Sequence, residues 1–528
     1  MTEFPCTRGV SAAAPAHAPC PPGARPWVLA ATILASGMVF IDGTVVNVAL
    51  PFLQQRFKAS ASDVQWVVES YALFLAALLL VGGSAGDRFG RRRVFGAGVA
   101  LFALASLCCG AAGSVQQLIV ARALQGIGGA LLVPGSLSLI SAAFPENERG
   151  KAIGTWSGYT AITAAIGPLI GGFLIEHVSW RLAFLINLPL ALLVLLLTFK
   201  FVPESRDPHA PASLDWAGAA LASGALGCLV YGLIESSNQG WGAATVSGAL
   251  LLAVLLGGIF IRIELRHAAP MLPLRLFRSR DFSGANLLTL LLYAALGGSL
   301  YFLPLNLIQV QGYSALAAGA ALLPLVLLMF SLSRWSGGLL DRYGARGPLV
   351  IGPMVAAVGF AAFAVPGVGG SYWSHFFPAI VVLGAGMAIS VAPLTTTVMN
   401  AVGPGLAGAA SGVNNAVSRT AGLLAIALFG IVMNQAFNAG LARNLKPLAL
   451  APAMLQRVIA QRARLAAIEL PAGASAAQQA AVKNAVALAY VSGFRRVMWL
   501  SALLALASAL SAACLIGGAK PAAGRARA

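Results

Sequence analysis

Residues 71–93 read YALFLAALLLVGGSAGDRFGRRR, an apolar run that ends abruptly in a cluster of charged side chains. A helix that crosses the roughly 30 Å hydrocarbon layer of a bilayer needs about 20 mainly apolar residues. Runs of this kind, each closed by a short polar break, recur from Trp27 almost to the C-terminus. Only 9% of the 528 residues are charged, whereas a water-soluble domain is roughly one quarter charged. The sequence therefore excludes a soluble fold and places most of the chain in a membrane.

These apolar runs predict helices, because a transmembrane β-barrel needs segments of about ten residues that alternate polar with apolar. The runs are instead continuous and rich in Leu, Ala and Gly. We expect an all-α polytopic membrane protein. Fourteen spans are predicted, at residues 27–51, 64–84, 94–113, 116–143, 150–175, 180–201, 215–235, 242–262, 283–311, 314–340, 348–368, 374–402, 406–437 and 494–517.

The lysines and arginines between the spans predict the orientation of the chain. They follow the even-numbered spans, as at Arg91, Arg149 and Arg278, and the loops on the other side hold few of them. Positive charge accumulates on the cytoplasmic side, so both termini are expected in the cytoplasm, with the protein in the inner (plasma) membrane. The formal net charge of +18 is scattered among these loops and does not form a basic patch, so no nucleic-acid partner is expected.

Residues 438–493 are an exception to this charge rule. They carry six lysines and arginines, although they lie on the side predicted to be external. Apolar residues at helical spacing, such as Met454, Val458 and Ile459, predict one or two amphipathic surface helices. A structural extracytoplasmic hairpin and a ligand-binding element are both compatible with this pattern.

The predicted domain organisation follows the spans. Its parts are a disordered cytoplasmic tail at 1–26, an N-terminal six-helix bundle at 27–201, two additional helices with a cytoplasmic linker at 202–282, a C-terminal six-helix bundle at 283–517 that includes the 438–493 hairpin, and a cytoplasmic tail at 518–528. Residues 1–25 lack the apolar core of a cleaved signal peptide. The six cysteines show no metal-ligand spacing, so neither a disulfide nor a metal site is expected.

Two polar breaks share one pattern of glycine, aspartate, arginine and glycine. The break after the second span contains Gly83, Asp87, Arg88, Gly90, Arg91 and Arg92, and the break after the tenth contains Gly337, Asp341, Arg342 and Gly344. The repeat indicates two related six-helix halves. We expect the first glycine of each loop to allow close helix packing, the second to allow a tight turn, and the aspartate to pair with basic residues. A simple positive-inside anchor would explain each loop alone but not the repetition.

On these residues the sequence resembles the major facilitator superfamily, whose loop between spans 2 and 3 has the form G-x-x-x-D-R-x-G-R-R. The stretch from Ile41 to Pro51 resembles the signature of the fourteen-span drug:proton antiporters of multidrug efflux type. Residues 118–129 resemble the fourth-span motif, which the resemblance implicates in proton coupling. A fifth-span motif typical of exporters is matched by Gly154, Gly158, Gly167, Pro168, Gly171 and Gly172. The resemblance implies a transporter driven by the proton gradient, without a cofactor.

Asp42, Glu69 and Arg122 lie inside predicted spans, where a charged side chain costs about 2.5–3.5 kcal/mol on insertion scales. Helix rise places all three in the outer half of the N-terminal bundle. If they line one cavity, Arg122 favours ionised carboxylates and closure of the cavity favours protonated ones, which is what proton coupling requires. A static Asp42–Arg122 pair that only orients helices is the alternative, and Glu69 lies near enough to the surface to be solvated.

The glycines and Pro168 of the fifth span admit two interpretations, a hinge for rocking and ordinary small-residue packing. Amphipathic side chains in the spans suit bulky, mostly apolar ligands, although packing between helices explains them equally well. The candidates for substrate binding are Trp156, Tyr159, Asn286, Tyr293, Asn306 and Asn414.

The sequence thus predicts a proton-coupled exporter of drugs or other small, mostly lipophilic molecules that acts by alternating access. The alternative is a proton-coupled importer of a small metabolite on the same fold. No catalytic residue is expected, because the spans lack protease motifs and the chain lacks a nucleotide-binding loop. The expected partners are a small-molecule substrate, protons and the lipid bilayer; the chain is expected to act as a monomer, and the sequence leaves a periplasmic adaptor open.

Overall fold

A computed structural model of the protein describes residues 23–206, 215–267, 270–402, 407–448, 450–469 and 474–517. Helices and the turns between them account for all of these residues, so the described part confirms the all-α fold. In a bilayer this arrangement is required, because every backbone N–H and C=O must find a partner within the protein. Residues 1–22 of the predicted N-terminal tail at 1–26 and the whole predicted tail at 518–528 lie outside the described residues, and the first helix begins at Arg25, inside the predicted tail.

The first part of the chain forms helices of up to 33 residues. They are α1 (Arg25–Phe57), α2 (Ala61–Phe89), α3 (Arg91–Ala111), α4 (Val115–Ala143), α5 (Glu146–His177), α6 (Leu182–Leu185) and α7 (Asn187–Phe201). Two further helices follow, α8 (Trp216–Gln239) and α9 (Ala244–Glu264).

The remaining helices are α10 (Arg280–Leu305), α11 (Ala315–Ala320), α12 (Leu323–Gly337), α13 (Leu339–Tyr343), α14 (Arg346–Phe363), α15 (Tyr372–His375), α16 (Phe377–Asn400), α17 (Ala407–Leu445), α18 (Pro452–Ala460) and α19 (Ala476–Leu515). A π-helix, Asn306–Val310, continues α10, and short 3-10 helices lie at Leu274–Arg278, Lys446–Leu448 and Arg462–Ala467.

Within the described residues, thirteen helices or joined helix pairs are long and apolar enough to cross a membrane. They match thirteen of the fourteen predicted spans, with α6 and α7 together forming the sixth. The fifth predicted span corresponds to α5, which has 32 residues, but some of its side chains lie outside the described part. The chain is therefore a multi-pass membrane protein, and the count of fourteen stays a prediction.

The segment predicted as a hairpin at 438–493 is shorter in the structure. Helix α17 continues to Leu445 and α19 already begins at Ala476, so only about half of the segment lies between them. A capping box explains the early start of α19: the Ser475 hydroxyl accepts from Gln478 N, and the Gln478 side chain accepts from Ser475 N. The expected amphipathic element is α18, whose Val458 is buried.

Two compact units make up the chain. The first contains three segments: the chain as far as Val46 in α1, Trp66–Gly227, and Ala253–Leu272. The second contains Asn47–Gln65, Cys228–Leu252 and the chain from Pro273 onward. These units differ from the predicted domains, because 47–65 belongs with the C-terminal helices and α8 and α9 are each divided between the two units.

Close helix packing holds the first unit together. Helix α3 packs on α4 and on α7, and the aromatic rings of Phe95 and Phe102 are fully buried between them. The α3–α4 crossing depends on Gly128: a Cβ added there would lie 2.6 Å from Phe102 N and 2.9 Å from its Cα. Only glycine lets the two backbones approach this closely.

In the second unit, α14 packs against α16 and α19, and α10 packs against α17 and α19. Gly386 of α16 has the same role as Gly128, since an added Cβ would lie 2.8 Å from Ala356 Cα on α14. Equivalent close crossings in both units agree with the internal repeat that the two matching loops predicted.

We expect Gly128→Ala to destabilise the protein by about 1–3 kcal/mol, the range for overpacking a close-packed contact, because backbone atoms cannot move aside like side chains. Thermal unfolding of the purified protein in detergent measures the effect. Gly257→Ala is the matched control, since in the described part of the chain no atom beyond its own helix backbone lies within 4 Å of the added Cβ. Equal melting temperatures for the two variants would contradict the packing argument.

Candidate functional site

A buried ion pair lies at the centre of the first unit. Asp42 of α1 is 0% exposed and Arg122 of α4 is 1% exposed, and Arg122 Nη1 donates to Asp42 Oδ2. The sequence predicted that these two residues lie at similar depth, and the structure brings them into direct contact. Since each charge alone would cost several kcal/mol to bury, the pair exists only because each side chain neutralises the other.

Neutral side chains from two more helices complete the surroundings of Asp42. Gln125 Nε2 donates to Asp42 Oδ1 at 2.8 Å, and Asn187 Nδ2 of α7 donates to the same oxygen at 3.1 Å. Both amides also donate to Ser106 Oγ of α3, at 2.8 Å and 3.2 Å. Thus α1, α3, α4 and α7 converge on one carboxylate, and each supplies a polar group.

Sequence reasoning missed the roles of Ser106, Gln125 and Asn187. Gln125 lies within 118–129, the fourth-span stretch that carried the family resemblance, which was the available signal. Ser106 had none, because a serine in a span costs little and is common between packed helices.

Arg122 is held from the other side as well. Its Nε donates to the Val67 carbonyl at 3.1 Å, and Nη1 also donates to Gln125 Oε1 at 2.6 Å. The guanidinium carbon lies 4.1 Å from the centre of the Tyr71 ring and 5.9 Å from that of Phe184. Such contacts with aromatic faces stabilise a desolvated cation. Arginine stays protonated in proteins, so Arg122 supplies a permanent cation to the pair.

Glu69 does not join this network, although the sequence predicted that it could share a cavity with Asp42 and Arg122. It is fully buried on α2, and within the described part of the chain neither carboxyl oxygen has a hydrogen-bond partner. The alternative expectation of a solvated Glu69 is wrong for this structure, because the side chain is not exposed.

The fifth-span glycines pack on α1 directly beside Asp42. A Cβ added at Gly171 would lie 2.7 Å from Val45 Cγ1, and one added at Gly167 would lie 3.2 Å from Ile41 Cα and closer still to Thr44 Oγ1. Pro168 lies between them inside the continuous helix. The helix that carries the exporter-type motif therefore contacts the helix that carries Asp42. Gly154 takes no part, since its added Cβ meets no described atom within 4 Å beyond its own helix backbone. Gly172 is buried and Gly158 half-buried.

The first charged loop is held inside its own unit. Asp87 Oδ1 accepts from Arg91 Nε at 2.8 Å, and Gly90 turns the chain with φ 112°. Glu204, after α7, accepts from Arg92 N at 3.0 Å, and its other oxygen lies 3.6 Å from Arg93 Nε. The sequence missed Glu204, although it is the first acidic residue after the sixth span.

One expectation for this loop needs correction, because Gly82 and not Gly83 permits the close helix approach. A Cβ at Gly82 would lie 2.8 Å from the Ala130 carbonyl carbon of α4, whereas at Gly83 the nearest atom is Pro134 Cβ at 3.5 Å, an ordinary contact. The two glycines are adjacent on the helix, so the motif spacing alone could not distinguish which one faces α4. Arg88 lies over the ring of Phe89 at 5.3 Å.

The second charged loop repeats the turn of the first. Gly344 has φ 70° at the end of α13, which confirms the tight turn predicted there. Arg342 lies over the Tyr343 ring at 5.4 Å. Gly337 does not support a close helix approach, because its added Cβ has no neighbour within 4 Å in the described chain outside its own helix backbone. The side chain of Asp341 lies outside the described part.

The candidate substrate residues separate into two groups and some isolated members. In the second unit, Asn414 Nδ2 donates to Asn286 Oδ1 at 3.1 Å and to Thr289 Oγ1 at 2.7 Å. In the first unit, Trp156 Nε1 donates to Ser36 Oγ at 3.1 Å. Asn306 is buried at the start of the π-helix and accepts from Gln311 at 3.1 Å. Tyr159 is exposed and Tyr293 half-buried.

Comparisons with known proteins show the family of the chain. The profile of the Major Facilitator Superfamily matches residues 32–426. The chain is 38% identical over 415 residues to the tetracenomycin C resistance and export protein of Streptomyces glaucescens, covering 78% of this chain and 76% of the relative. It is 37% identical to the puromycin resistance protein pur8 of Streptomyces alboniger, covering 79% and 84% of the two chains.

Two solved structures share the fold. A bacterial homologue of the human lysosomal transporter Spinster, in an inward-facing conformation, matches with a TM-score of 0.64 at 19% identity, covering 93% of this chain and 98% of that one. The xylose transporter XylE from E. coli matches with a TM-score of 0.57 at 15% identity, covering 94% and 97%. At these identities the likeness concerns the fold alone.

We expect Arg122→Gln to destabilise the protein by about 3–5 kcal/mol, because it leaves the Asp42 carboxylate buried without a cation. Adding Asp42→Asn removes the orphaned charge, so the double variant should be more stable than Arg122→Gln alone. Thermal unfolding in detergent of the two single variants and the double variant gives the coupling. Strictly additive losses would show that the two side chains do not stabilise each other.

Proposed function

Since the chain belongs to the Major Facilitator Superfamily and its curated relatives are of drug-efflux type, we propose that it exports small, mostly lipophilic molecules in exchange for protons. The Asp42–Arg122 pair carries the proposal. It supplies one protonatable carboxyl and one permanent cation, both buried in a span, where charges are rare and mark ion pathways.

The exchange follows from competition at Asp42. When Asp42 is ionised, Arg122, Gln125 and Asn187 all donate to it, and the network ties α1 to α4 and α7. A proton on Asp42 removes the negative charge and one acceptor site, so the ion pair breaks and the four-helix contact weakens. Helix arrangement and protonation are then linked, which allows a proton gradient to drive a change of access.

Ser106 and the two amides act as positioning residues in this scheme. Gln125 and Asn187 fix the Asp42 carboxylate, and their hydrogen bonds to Ser106 Oγ, at 2.8 Å and 3.2 Å, hold the two amides in place. Glu69 is a second candidate for carrying a proton, because an ionised carboxylate without a partner is too costly to bury. The stoichiometry would then exceed one proton for each transport cycle.

The relatives favour export over import, and the packing of α5 on α1 gives α5 a direct contact with the helix that carries Asp42. Gly167 and Gly171 bring α5 against the residues that flank Asp42, so a movement of α5 is transmitted directly to the ion pair. The relatives named for resistance to tetracenomycin C, puromycin and methylenomycin A support an organic antibiotic or a similar molecule as the substrate class.

The proposal places the chain in the inner (plasma) membrane, with both termini in the cytoplasm and the loops containing Asp87 and Asp341 on the cytoplasmic side, as charge distribution favours. In this orientation both loops act as cytoplasmic gating elements. A monomer is sufficient for this cycle, because Asp42 and all its partners lie in one compact unit of one chain.

Uptake into everted membrane vesicles tests the proposal, with tetracenomycin C, puromycin, methylenomycin A, a lipophilic cation and an organic anion as probes. With an inside-acid gradient, we expect wild-type vesicles to accumulate at least one probe and Asp42→Asn vesicles to accumulate none. Glu148→Gln is the matched control, because Glu148 also pairs with an arginine, Arg25 at 2.9 Å, but is largely exposed.

Gradient-driven accumulation by Asp42→Asn equal to that of the wild type would refute the coupling role of Asp42. Accumulation of a probe by right-side-out cells, driven by the inward proton gradient, would instead support the importer.

A further inference from the structure

Two carboxyl groups outside the Asp42 network face each other, one at the start of α8 and the other at the end of α9. Asp215 immediately precedes α8, and Glu264 is the last residue of α9. Their residues are only 9% and 3% exposed, and both belong to the first compact unit. Two acidic side chains buried this deeply need compensation, because an unpaired buried carboxylate is costly.

One oxygen of each carboxyl is compensated by the backbone. Gly218 N donates to Asp215 Oδ1 at 2.7 Å, the usual bond of a helix N-cap, and Leu272 N donates to Glu264 Oε2 at 2.9 Å. The other two oxygens, Asp215 Oδ2 and Glu264 Oε1, are buried and have no hydrogen-bond partner within the described residues.

These two unpartnered oxygens border the same small space. A Cβ added to Gly218 would lie 2.8 Å from Glu264 Oε1 and closer still to Asp215 Oδ2. An ionised carboxylate can only accept hydrogen bonds, so two ionised groups in this position would repel each other and neither could satisfy its neighbour.

The surrounding charges offset this repulsion only in part. In the described part of the chain no lysine or arginine forms an ion pair with either carboxyl. Arg262 and Arg266, at the same end of α9, are exposed. His267, in the turn after α9, is the remaining titratable group whose charge acts on Glu264. A proton between the two free oxygens would remove one negative charge and supply the missing donor.

We propose that Asp215 and Glu264 form a proton-binding site, in which a single proton is held between Asp215 Oδ2 and Glu264 Oε1 and joins the start of α8 to the end of α9. The proton comes from the solvent on that side of the membrane. When it leaves, the pair carries two negative charges, the hydrogen bond is lost, and the two helix ends repel each other. The site is separate from Asp42 and does not depend on the direction or substrate of transport.

Thermal unfolding of the full-length protein in detergent, between about pH 5 and pH 9, tests the site by linkage. Free carboxyls, with a pKa of about 4, have already released their protons at pH 5. The folded pair still holds its proton there, so its contribution to stability is present at low pH and is lost as the pH rises and the pair gives up that proton. Asp215→Asn replaces the proton with a permanent donor: its amide nitrogen can bond Glu264 Oε1 while its oxygen still accepts from Gly218 N. We expect the melting temperature of this variant to lose that part of its pH dependence, and Glu264→Gln to behave alike.

Glu235→Gln is the matched control, because Glu235 lies near the opposite end of α8 and accepts from Asn238 and Gln239 on the same helix. It should retain the wild-type pH profile. A profile for Asp215→Asn that equals the profile of Glu235→Gln would overturn the proposal.

Infrared spectroscopy gives a second readout that does not depend on unfolding. The wild-type protein at neutral pH should show the carbonyl stretch of one protonated carboxylic acid that is absent from Asp215→Asn or Glu264→Gln, and either variant that folds suffices. Identical carboxylic acid bands in wild type and variant would show that the pair holds no proton. Should neither variant fold, a wild-type carboxylic acid band unchanged between neutral and alkaline pH would overturn the site, and its loss at alkaline pH would support it.

Discussion

The pairing of Asp42 with Arg122 is the interaction on which the rest of the first unit depends. In a bilayer each of these charges alone would cost about 2.5–3.5 kcal/mol or more, so the helices that carry them must stay together unless the charge changes. Gln125, Ser106 and Asn187 extend the constraint to α3 and α7. The close crossing at Gly128 and the contact of Gly171 with Val45 bring the helix backbones near enough for these short side chains to reach. Packing and electrostatics therefore specify the same arrangement.

In the proposed exchange, the same constraint allows the helix arrangement to change when the charge of the pair changes. In this exchange, a proton on Asp42 removes the negative charge that neutralises Arg122, so the pair loses the interaction that compensates its burial. Nonpolar packing between helices in lipid offers no comparable change, because lipid tails are as apolar as the side chains they replace. This explains why a chain with few charges keeps two of them fully buried at one point. In the second unit, Asn414, Asn286 and Thr289 form a neutral polar cluster that has no such dependence on pH.

Much of the fold was predictable from sequence because a bilayer allows few solutions: apolar runs of sufficient length must be helices. The pairing of Asp42 and Arg122 was also within reach, since the cost of burial and the depth of each residue together leave few partners. The direction in which a side chain points around its helix was not predictable from the sequence. Val67 O accepts from Arg122, while Glu69, two residues later and about 200° further around the helix, points elsewhere. For the same reason the sequence could not show that Gly82, and not Gly83, is the glycine that faces α4. Ser106 was beyond prediction because a neutral serine in a span produces no energetic signal, and the extent of α17 and α19 depended on local caps such as that of Ser475.

The central claim is that Asp42 exchanges its proton as the transport substrate crosses. The most direct measurement is proton flux itself, recorded with a pH-sensitive dye inside proteoliposomes that contain only this purified chain, while a substrate identified by vesicle uptake flows down its own gradient. The account predicts that wild type and Glu148→Gln move protons in the direction opposite to the substrate. In Asp42→Asn, substrate flow should occur without proton movement or should stop altogether. Proton movement in Asp42→Asn that matches the wild type would contradict it.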